Sequence, residues 1–487
     1  MRKDPAIWSR RTLIFIIAVS AIRLALLPAL DLTPQDAYYW QYSEHPAMGY
    51  FDHPPVHAWS CWLTTTIFGD NPFGIRFGPW LYGLGILVML YLMARRLYGE
   101  EAGFWVAAAA GVTPLFTIGS SVLTPDPPLL FFWLISMFTG YLALDEDRPA
   151  LWLAAGFAGG LAMLSKYTAA FLAPGFLIAL LFTRNGRKHL ISPWPWLGLL
   201  LGVVAFSPQI IWNARHDWAS FAFQTTRRAG EISRWRLDLF GGMLGSQLAV
   251  VSPLLFGGII WALFRGGWRR LFAKKSGLAD LYLPAMALPT ILFFGFISLR
   301  YWVKMNWMAP GYLAGIIALI GATVAIGRGR GFLKWALGLA ALETVALYAL
   351  VLTPAVPLTG EAVYFEGWQE AAARVDEIRD DMDNPFVAGW GYKVPSELRF
   401  YLDERPETHC NEIFGGNGLN YNYWTDTDLL LGRDCIFVAD SREPFRHPEL
   451  LKEHFARVSG PEVLKPTRGG KPVTEFRIWR CFEYLGP

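Results

Sequence analysis

Two aspartates with aromatic neighbours follow the first apolar segment of the chain, and their residue types suggest proton transfer. Asp36 precedes Tyr38 and Tyr39, and Asp52 precedes His53 in a Gly-Tyr-Phe-Asp-His-Pro-Pro string. A carboxylate held among aromatic rings can remove the proton of a hydroxyl group and make it a better nucleophile. Asp36 could therefore act as a general base or as an orienting carboxylate, and the other four residues are predicted substrate contacts. The structural alternative is that Asp36 caps a helix beginning at the next residue.

A second carboxylate and an isolated lysine occur further along the chain. Asp126 lies between two prolines, which fix the backbone around it. Lys166 is the only charged residue between two apolar runs that together cover residues 151–182. Asp126 could share base and orienting roles with Asp36, and the ammonium group of Lys166 could bind a phosphate. The alternatives are a helix cap for Asp126 and a lysine that snorkels to a membrane interface.

Arginines mark a third polar segment. Arg215 is followed by Arg227, Arg228, Arg234 and Arg236 within one connection. Guanidinium groups recognise phosphates with paired hydrogen bonds. The segment is therefore predicted to bind the phosphodiester of a donor or the phosphates of an anionic glycolipid. A surface facing charged lipid headgroups is the alternative.

The composition places these residues in a membrane protein. Of 487 residues, 53% are hydrophobic and only 17% are charged, whereas soluble proteins average about a quarter charged. Apolar runs fill residues 12–353, and the sequence after residue 360 resembles a soluble domain. We predict a polytopic α-helical membrane domain, residues 1–353, and a small C-terminal α/β domain, residues 354–487.

About 11 apolar segments are long enough to cross a bilayer as helices. They lie near residues 12–30, 77–94, 103–119, 127–144, 150–165, 167–183, 194–212, 239–264, 281–298, 307–326 and 332–353. The basic N-terminus and the short connections rich in Lys and Arg belong on the cytoplasmic side of a bacterial inner membrane. These basic residues include Arg2, Lys3, Arg95, Arg96, Arg184, Arg187, Lys188, Arg265, Arg269, Arg270, Lys274, Lys275, Arg328 and Arg330. All the polar motifs and the C-terminal domain then lie on the periplasmic side.

The C-terminal domain shows both helical and strand patterns. Helices are predicted at 367–382 and 448–458, and strands at 385–390, 397–402, 435–439 and 474–484. The loop 414–424 is rich in Gly, Asn and aromatic residues, which can stack on sugars, although such loops are more often simple connections. Three cysteines fall in the predicted oxidising compartment, where the sequence permits one disulfide and leaves its pairing open: Cys410, Cys435 and Cys481.

The motifs that are missing narrow the choice of donor and cofactor. Glycine-rich nucleotide loops, Gly-x-Ser-x-Gly and His-Glu-x-x-His do not occur in the chain, and there is no basic stripe of the kind that binds nucleic acid. Sugar nucleotides are not found outside the cytoplasm, so the donor must be anchored in the membrane. No complete zinc-ligand pattern is visible, so no metal is predicted to be required. Asp52 and His53 are the candidate ligands if a divalent metal takes part.

The order of these motifs resembles the bacterial protein-mannosyltransferase-like family, family 39 of the C-type membrane glycosyltransferases, and the related lipid A aminoarabinose transferases. The resemblance covers roughly residues 30–310. Its motifs are Asp36-Ala-Tyr-Tyr-Trp40, Gly49-Tyr-Phe-Asp-His-Pro-Pro55, the Asp126 loop, the Leu164-Ser-Lys-Tyr-Thr168 hairpin, and the segment from Arg300 to Pro310.

The resemblance implies roles for several of these residues. Asp36 becomes the catalytic carboxylate, with Asp126 near it, and Lys166 contacts the carrier phosphate. The segment 300–310 adds Arg300 and Lys304 as donor-phosphate contacts and Asn306 as a further polar contact. His53 departs from the related aminoarabinose transferases, in which the matching position is often lysine.

The sequence thus predicts an inverting glycosyltransferase that moves a sugar from a polyprenyl-phosphate carrier to an acceptor outside the membrane. Lipid A, lipopolysaccharide or another envelope glycan is the expected acceptor. The alternatives are a protein O-mannosyltransferase-like enzyme, a membrane transporter or lipid flippase, and a non-catalytic sensor. A transporter would be expected to show repeated halves, and no internal repeat is detectable. The identity of the sugar and the oligomeric state stay open.

Overall fold

The structure of the protein, a computed structural model, describes residues 5–227, 234–272, 277–326, 329–353, 358 and 360–487. Parts of the topology and phosphate-binding predictions lie outside these residues, namely Arg2, Lys3, Arg228, Lys274, Lys275 and Arg328. The side chains of Arg227, Arg269 and Arg270 also lie outside what the structure describes, as do residues 354–357 at the predicted domain boundary.

Packing divides the chain into two compact units. The helical unit contains residues 1–26, 47–60 and 77–346, and the globular unit contains residues 27–46, 61–76 and 347–487. Two segments of the predicted first loop therefore pack with the C-terminal residues, although they are far from them in sequence. Asp36 belongs to the globular unit, whereas Asp126, Lys166 and Asn306 belong to the helical unit.

The chain up to residue 352 is helical, and most of the predicted spans correspond to one helix each. The helices are α1 (Pro5–Leu26), α2 (Pro34–Glu44), α3 (Val56–Phe68), α4 (Pro72–Tyr98), α5 (Glu100–Val112), α6 (Pro114–Gly119), α7 (Asp126–Asp145), α8 (Leu151–Ser165), α9 (Leu172–Phe182), α10 (Arg184–Leu190), α11 (Trp194–Arg215), α12 (Ala219–Ala222), α13 (Leu237–Val251), α14 (Pro253–Phe272), α15 (Leu278–Ile297), α16 (Ala309–Ile326) and α17 (Arg330–Leu352). Short 3₁₀ turns occupy Leu27–Ala29 and Tyr167–Phe171, and a π-helical turn occupies Phe223–Arg227.

Among the described residues, six helices are by themselves long and apolar enough to cross a membrane, or up to eight spans if each of two bent pairs counts as one. Two shorter apolar helices, Leu151–Ser165 and Ala309–Ala325, add to these. A multi-pass α-helical membrane protein is therefore confirmed. The number of about 11 spans stays a prediction.

Two predicted spans are each divided into two helices. The span at 103–119 is interrupted between α5 and α6, where Pro114 follows Thr113. The span at 239–264 is bent by 105° between α13 and α14, where Ser252 has a φ of 74° and Pro253 follows. Proline lacks an N–H and disfavours the helical conformation of the residue before it, so both interruptions have a local cause.

The predicted first loop contains α2 and α3. Thr33 is the N-cap of α2, and Pro34 occupies its first position. The Thr33 side chain accepts a hydrogen bond from the Asp36 N–H, and the Asp36 side chain accepts one from the Thr33 N–H. This reciprocal capping box fixes the start of the helix. Asp36 is therefore the third residue of a helix rather than the cap of one starting at Ala37.

The core of the helical unit depends on close backbone approach as well as on large apolar side chains. α8 packs along both α7 and α11. A Cβ atom added to Gly156 would lie only 1.9 Å from the carbonyl oxygen of Gly198. Small residues at this crossing let α8 and α11 approach closely, as in many membrane helix pairs.

A six-stranded sheet forms the centre of the globular unit. Its strands are ordered β2-β1-β3-β8-β4, with β5 also paired to β8; β1, β2 and β3 are parallel, and β8 is antiparallel to its neighbours. The strands of the unit are β1 (Phe386–Gly389), β2 (Thr408–His409), β3 (Cys435–Asp440), β4 (Phe455–Val458), β5 (Glu462–Leu464), β6 (Thr467–Arg468), β7 (Lys471–Pro472) and β8 (Phe476–Tyr484), of which β6 and β7 form a separate two-stranded sheet. The helices are α18 (Trp368–Asp380), α19 (Lys393–Tyr401), α20 (Tyr421–Trp424) and α21 (Glu449–His454), with 3₁₀ turns at Gly360–Phe365, Asn411–Phe414 and Thr427–Leu430. The predicted small C-terminal α/β fold is confirmed.

Two of the predicted elements in this domain are wrong. Residues 397–402 were expected to form a strand, but 393–401 form α19, in which residues 394–400 are all buried, polar and charged side chains included. The predicted helix 448–458 ends at His454, and Phe455–Val458 form β4 beside β8. Short amphipathic segments fit both patterns, and packing against the sheet decides between them.

Candidate active site

Asp36 lies in the first turn of α2 and is completely buried. Its Oδ2 accepts hydrogen bonds from the backbone N–H of Thr33 at 3.0 Å and from the Thr33 hydroxyl at 2.9 Å. Arg76, near the start of α4, donates to the same oxygen from Nε at 3.3 Å and from Nη2 at 2.8 Å. The predicted catalytic carboxylate is thus held in a buried ion pair.

Arg76 also organises the backbone around Asp36. Its Nη1 donates to the carbonyl oxygens of Leu27 and Leu30 at 3.1 and 2.7 Å, and its Nη2 donates to that of Asp31 at 2.6 Å. A guanidinium group can make five hydrogen bonds in a fixed plane, which suits this role better than an ammonium group. The segment that leads into α2 is therefore fixed to the same side chain that holds the carboxylate.

The aromatic side chains after Asp36 are buried within the globular unit. The hydroxyl of Tyr38 accepts hydrogen bonds from the backbone N–H and the side chain of Asn420, at 3.3 and 3.2 Å. The Asn420 side chain also donates to the Tyr42 hydroxyl, and the Tyr39 ring packs on Tyr38 and Tyr42. The loop 414–424 therefore binds α2 in this structure. The substrate contacts of Tyr38 and Tyr39 stay a prediction.

Three predicted site residues come together in the helical unit. Lys166 Nζ lies 2.9 Å from each carboxylate oxygen of Asp126, and Asn306 Nδ2 donates to Asp126 Oδ2 at 2.7 Å. The side chains of Lys166 and Asp126 are each only 9% exposed. Asp126 is the first residue of α7, Lys166 follows the last residue of α8, and Asn306 lies shortly before α16. Lys166 thus points into the protein, toward an internal partner, rather than snorkelling outward.

The end of the segment between α2 and α3 and the first turn of α3 also belong to the helical unit. The Asp52 carbonyl accepts a hydrogen bond from Gln224 at 2.6 Å, and the His53 ring lies 6.5 Å from the ring of His57. Burial, together with the nearby charge of Lys166, lowers the pKa of His57 to about 3. His57 is therefore an uncharged ring near Lys166 at neutral pH.

Gln209 connects this segment to the Lys166 hairpin. It is completely buried in α11. Its side chain donates to the Tyr50 carbonyl at 3.1 Å and to the Tyr167 hydroxyl at 2.7 Å. The Tyr167 hydroxyl also lies 2.6 Å from the Ser220 hydroxyl. One amide thereby links the residue after Lys166 to the backbone just before Asp52.

The other predicted phosphate-binding residues lie outside the buried group. Arg215 is exposed at the end of α11. Arg300 and Lys304 are half-buried, and the guanidinium carbon of Arg300 lies 5.5 Å from the ring centre of Trp235. These three cations line surfaces rather than the interior, so their phosphate contacts stay predictions.

The candidate metal ligands and the cysteines lie in the part of the chain that the structure describes. There, no three His, Cys, Asp or Glu side chains are arranged to share a metal ion, Asp52 and His53 included. That no metal is required stays a prediction. Cys410, Cys435 and Cys481 are buried free thiols, and Cys435 and Cys481 lie opposite each other on β3 and β8. Burial raises the pKa of Cys481 to about 12 and that of Cys435 well above its usual value, so neither thiol is poised to react.

Sequence reasoning missed Arg76 and Gln209. Arg76 lies in an apolar helix whose other charges, Arg95 and Arg96, are in its last turn. Gln209 follows Pro208 within the apolar helix α11. A polar residue inside an apolar segment needs a partner, and this signal could have found both.

Comparison with known proteins supports the family resemblance. The family model described as dolichyl-phosphate-mannose-protein mannosyltransferase matches residues 52–212, which include Asp52, Asp126 and Lys166. A lipid A galacturonosyltransferase of Rhizobium johnstonii, RgtD, is 28% identical over 71% of this chain and 70% of its own length. The chain is related to the family-39 C-type glycosyltransferases that modify lipid A.

Two further relatives extend this finding. An undecaprenyl phosphate-α-4-amino-4-deoxy-L-arabinose arabinosyl transferase of Pseudomonas fluorescens is 31% identical over 20% of this chain and 18% of its own length. The ArnT structure from Cupriavidus metallidurans, bound to undecaprenyl phosphate, matches with a TM-score of 0.66 at 14% identity over 96% of this chain and 97% of that one.

An archaeal structure shares the same fold. The oligosaccharyltransferase of Archaeoglobus fulgidus, in complex with Zn and sulfate, matches with a TM-score of 0.53 at 14% identity, over 98% of this chain and 73% of that one. The C-type fold is thus confirmed by structure. The predicted enzyme class, a glycosyltransferase that uses a polyprenyl-phosphate-linked sugar, is confirmed by the relatives.

Proposed function

We propose that the protein transfers a sugar from a polyprenyl-phosphate carrier to lipid A or a related lipopolysaccharide acceptor, on the periplasmic side of a bacterial inner membrane. The observation that carries the proposal is the buried Asp126–Lys166–Asn306 group. It lies within a fold shared with a protein that binds undecaprenyl phosphate. The relative that is 28% identical, a lipid A galacturonosyltransferase, supports lipid A as the acceptor.

Lys166 is suited to hold the carrier phosphate. An ammonium group has three N–H donors, and Asp126 accepts from Lys166 through both oxygens. The remaining N–H can donate to a phosphate oxygen without breaking the ion pair. Asn306 fixes Asp126, so the ammonium group is held in place before the donor arrives. This preorganisation reduces the ordering cost of binding.

Asp36 is the proposed general base. The acceptor hydroxyl attacks the anomeric carbon in line with the bond to phosphate, and its proton passes to the Asp36 carboxylate. The bond between the anomeric carbon and the phosphate oxygen breaks, and its electron pair leaves with the polyprenyl phosphate. The configuration at the anomeric carbon is inverted in this single displacement. A positioned base typically contributes about 10²–10⁴-fold to such a rate.

The reaction requires access to Asp36. The residue has no exposed surface in this structure, and Arg76 occupies its Oδ2. The residues that bury Asp36 must therefore move when the acceptor binds. Conformational steps of this kind often accompany catalysis in enzymes that exclude water from the site.

Mass spectrometry of envelope glycolipids and glycoproteins from a deletion strain tests the function. We expect one lipid A or core species to lose a single sugar mass, which also identifies the sugar. Restoration by the intact gene, but not by an Asp36→Asn version, is the matched control. An unchanged glycolipid profile with a glycoprotein that loses hexose would instead establish a protein acceptor, as the matching family description suggests.

A further inference from the structure

A fully buried acid of the C-terminal domain has no role in the reaction described so far. Glu397 lies in the middle of α19 and has no exposed surface. Among the described residues, no donor or acceptor lies within hydrogen-bond distance of its Oε1 or Oε2. Burying a carboxyl group without a hydrogen bond is unfavourable, whereas an apolar side chain would pack there at no such cost. Packing alone therefore does not explain a glutamate at this position.

The face of α19 that carries Glu397 packs against the segment that carries Asp36. Phe400 and Tyr401 follow Glu397 by three and four residues, so all three lie on one side of the helix. The Phe400 ring contacts Trp40 of α2 at 5.3 Å, and the Tyr401 hydroxyl accepts a hydrogen bond from the Leu32 N–H at 3.1 Å. Glu397 therefore faces α2 as well.

A second contact holds the other side of α19 to α2. Ser396, which precedes Glu397, lies 2.9 Å from the hydroxyl of Tyr421. Gln41 of α2 donates to the same hydroxyl at 3.0 Å. Contacts to α2 and to the residues just before it therefore lie on both sides of Glu397 along α19. This packing fixes the position of Glu397 relative to α2.

Most of the charged groups around Glu397 belong to the Asp36 centre, whereas Arg442 pairs with Asp440 at 2.6 Å. These charged groups are Asp36, Asp31, Arg76 and Arg442, and Tyr401 is the titratable neighbour on its own helix. Burial raises the pKa of Glu397 well above its usual value, and the negative charge of Asp36 adds to the effect. The positive charges of Arg442 and Arg76 oppose it.

We propose that Glu397 is a second acid of the Asp36 centre, supplied by the C-terminal domain as an uncharged carboxyl group. The proposal rests on the proposed function only in taking Asp36 as the catalytic carboxylate. While Glu397 is neutral, the guanidinium group of Arg76 keeps its ion pair with Asp36. Once ionised, Glu397 competes for that guanidinium group and repels Asp36. Glu397 is therefore a positioning residue that acts through the Asp36–Arg76 pair and limits activity at any pH at which it ionises.

The pH dependence of transfer tests the role in catalysis. Glu397→Gln keeps the size of the side chain and cannot ionise. Turnover of the full-length enzyme in detergent micelles, with a polyprenyl-phosphate sugar and lipid A, should match the wild type within about twofold at acidic pH. Above the pH at which Glu397 ionises, the turnover of the wild type should fall about tenfold per pH unit, and that of the variant should stay higher. Superimposable pH profiles of the two proteins would overturn the proposal.

Unfolding provides a readout that does not depend on transfer. In the unfolded chain Glu397 ionises near its ordinary value of 4.5, and in the folded chain only at higher pH. The stability contributed by the neutral group is complete below that ordinary value and is lost as the pH rises toward the folded pKa. The unfolding constant of the wild type should therefore rise about tenfold per pH unit relative to Glu397→Gln across this window.

The two measurements separate the two proposals. If no polyprenyl-phosphate sugar is transferred by the wild type, the proposed function fails, while the unfolding measurement still decides the state of Glu397. A constant difference in stability between wild type and Glu397→Gln at every pH overturns the inference. If Glu397→Gln does not fold, Glu397→Met, which also cannot ionise, replaces it in both measurements.

Discussion

At the scale of single residues, the two proposed carboxylates are each held by one cation. Arg76 pairs with Asp36 at 2.8 Å, and Lys166 pairs with Asp126 at 2.9 Å. Removing one partner of a buried pair leaves an uncompensated charge, which typically costs about 3–5 kcal/mol. A substitution at either site therefore changes stability as well as function. Its effect on function is measured most cleanly when the partner is neutralised too.

Lys166→Met is expected to weaken donor binding and to destabilise the helical unit. The loss of a charged hydrogen bond to phosphate should reduce affinity for polyprenyl phosphate by about 1.5–3 kcal/mol. The double variant Lys166→Met with Asp126→Asn should recover most of the stability but not the affinity. Binding of polyprenyl phosphate to the purified proteins, measured beside thermal unfolding, checks this. Wild-type affinity in the double variant would rule out Lys166 as the phosphate ligand.

Arg76→Lys is expected to destabilise the globular unit although the charge is kept. Lysine cannot contact Asp36 and three backbone carbonyls at once, so buried acceptors lose their donors at about 1–3 kcal/mol. The matched control is Arg215→Lys, at an exposed position, which should stay within about 0.5 kcal/mol of the wild type. Equal unfolding midpoints for the two variants would show that Arg76 acts only as a charge.

At the scale of elements, local chemistry predicted the membrane helices well and the contacts between distant elements poorly. Apolar length identifies α7 and α15 because each helix is one uninterrupted apolar run. The division at Ser252 depends on a φ of 74°, which no apolar pattern reports. The prediction of a strand at 397–402 was wrong because the pattern of residue types in so short a segment fits a helix as well as a strand.

The residues of the candidate site also differ in whether the sequence could predict them. Residue type and family resemblance identified Asp126, Lys166 and Asn306, which the fold then brings together. A polar residue in an apolar segment marks Arg76 for attention, but the roles of Arg76 and Glu397 could not be assigned, because their partners lie about 40 and 360 residues away. Long-range pairing of this kind is set by tertiary packing, which a single sequence does not encode in local patterns.

Asn420→Ala is expected to loosen the attachment of α2 to the loop 414–424. The substitution removes the donors to the hydroxyls of Tyr38 and Tyr42, and buried hydrogen bonds of this type are worth about 1–3 kcal/mol when one partner is lost. Turnover should fall while affinity for polyprenyl phosphate stays unchanged. Asn417→Ala, at an exposed position of the same loop, is the control. Faster hydrogen exchange in α2 of Asn420→Ala, but not of Asn417→Ala, would support this; equal protection would contradict it.

At the scale of the whole molecule, the distribution of charge predicts which side of the membrane carries the site. The connections rich in Lys and Arg and the polar motifs fall on opposite faces in the predicted topology. A reporter that is active only in the cytoplasm, fused after Pro487, is therefore expected to be silent. The same reporter inserted between α10 and α11, in a predicted cytoplasmic connection, should be active. A bright signal after Pro487 would place the C-terminal domain on the cytoplasmic side and remove the proposed periplasmic reaction.

The most direct measurement of the central claim is the turnover of Asp36→Asn at saturating donor and acceptor. Asparagine keeps the size of the side chain and removes the base, so we expect a loss of about 10²–10⁴-fold. Arg76 loses its charged partner in this variant, so the folded fraction and the affinity for polyprenyl phosphate are measured in the same preparation. Folded, donor-binding protein with strongly reduced turnover is the expected result. Wild-type turnover by folded Asp36→Asn would contradict the assignment and leave Asp126 as the base.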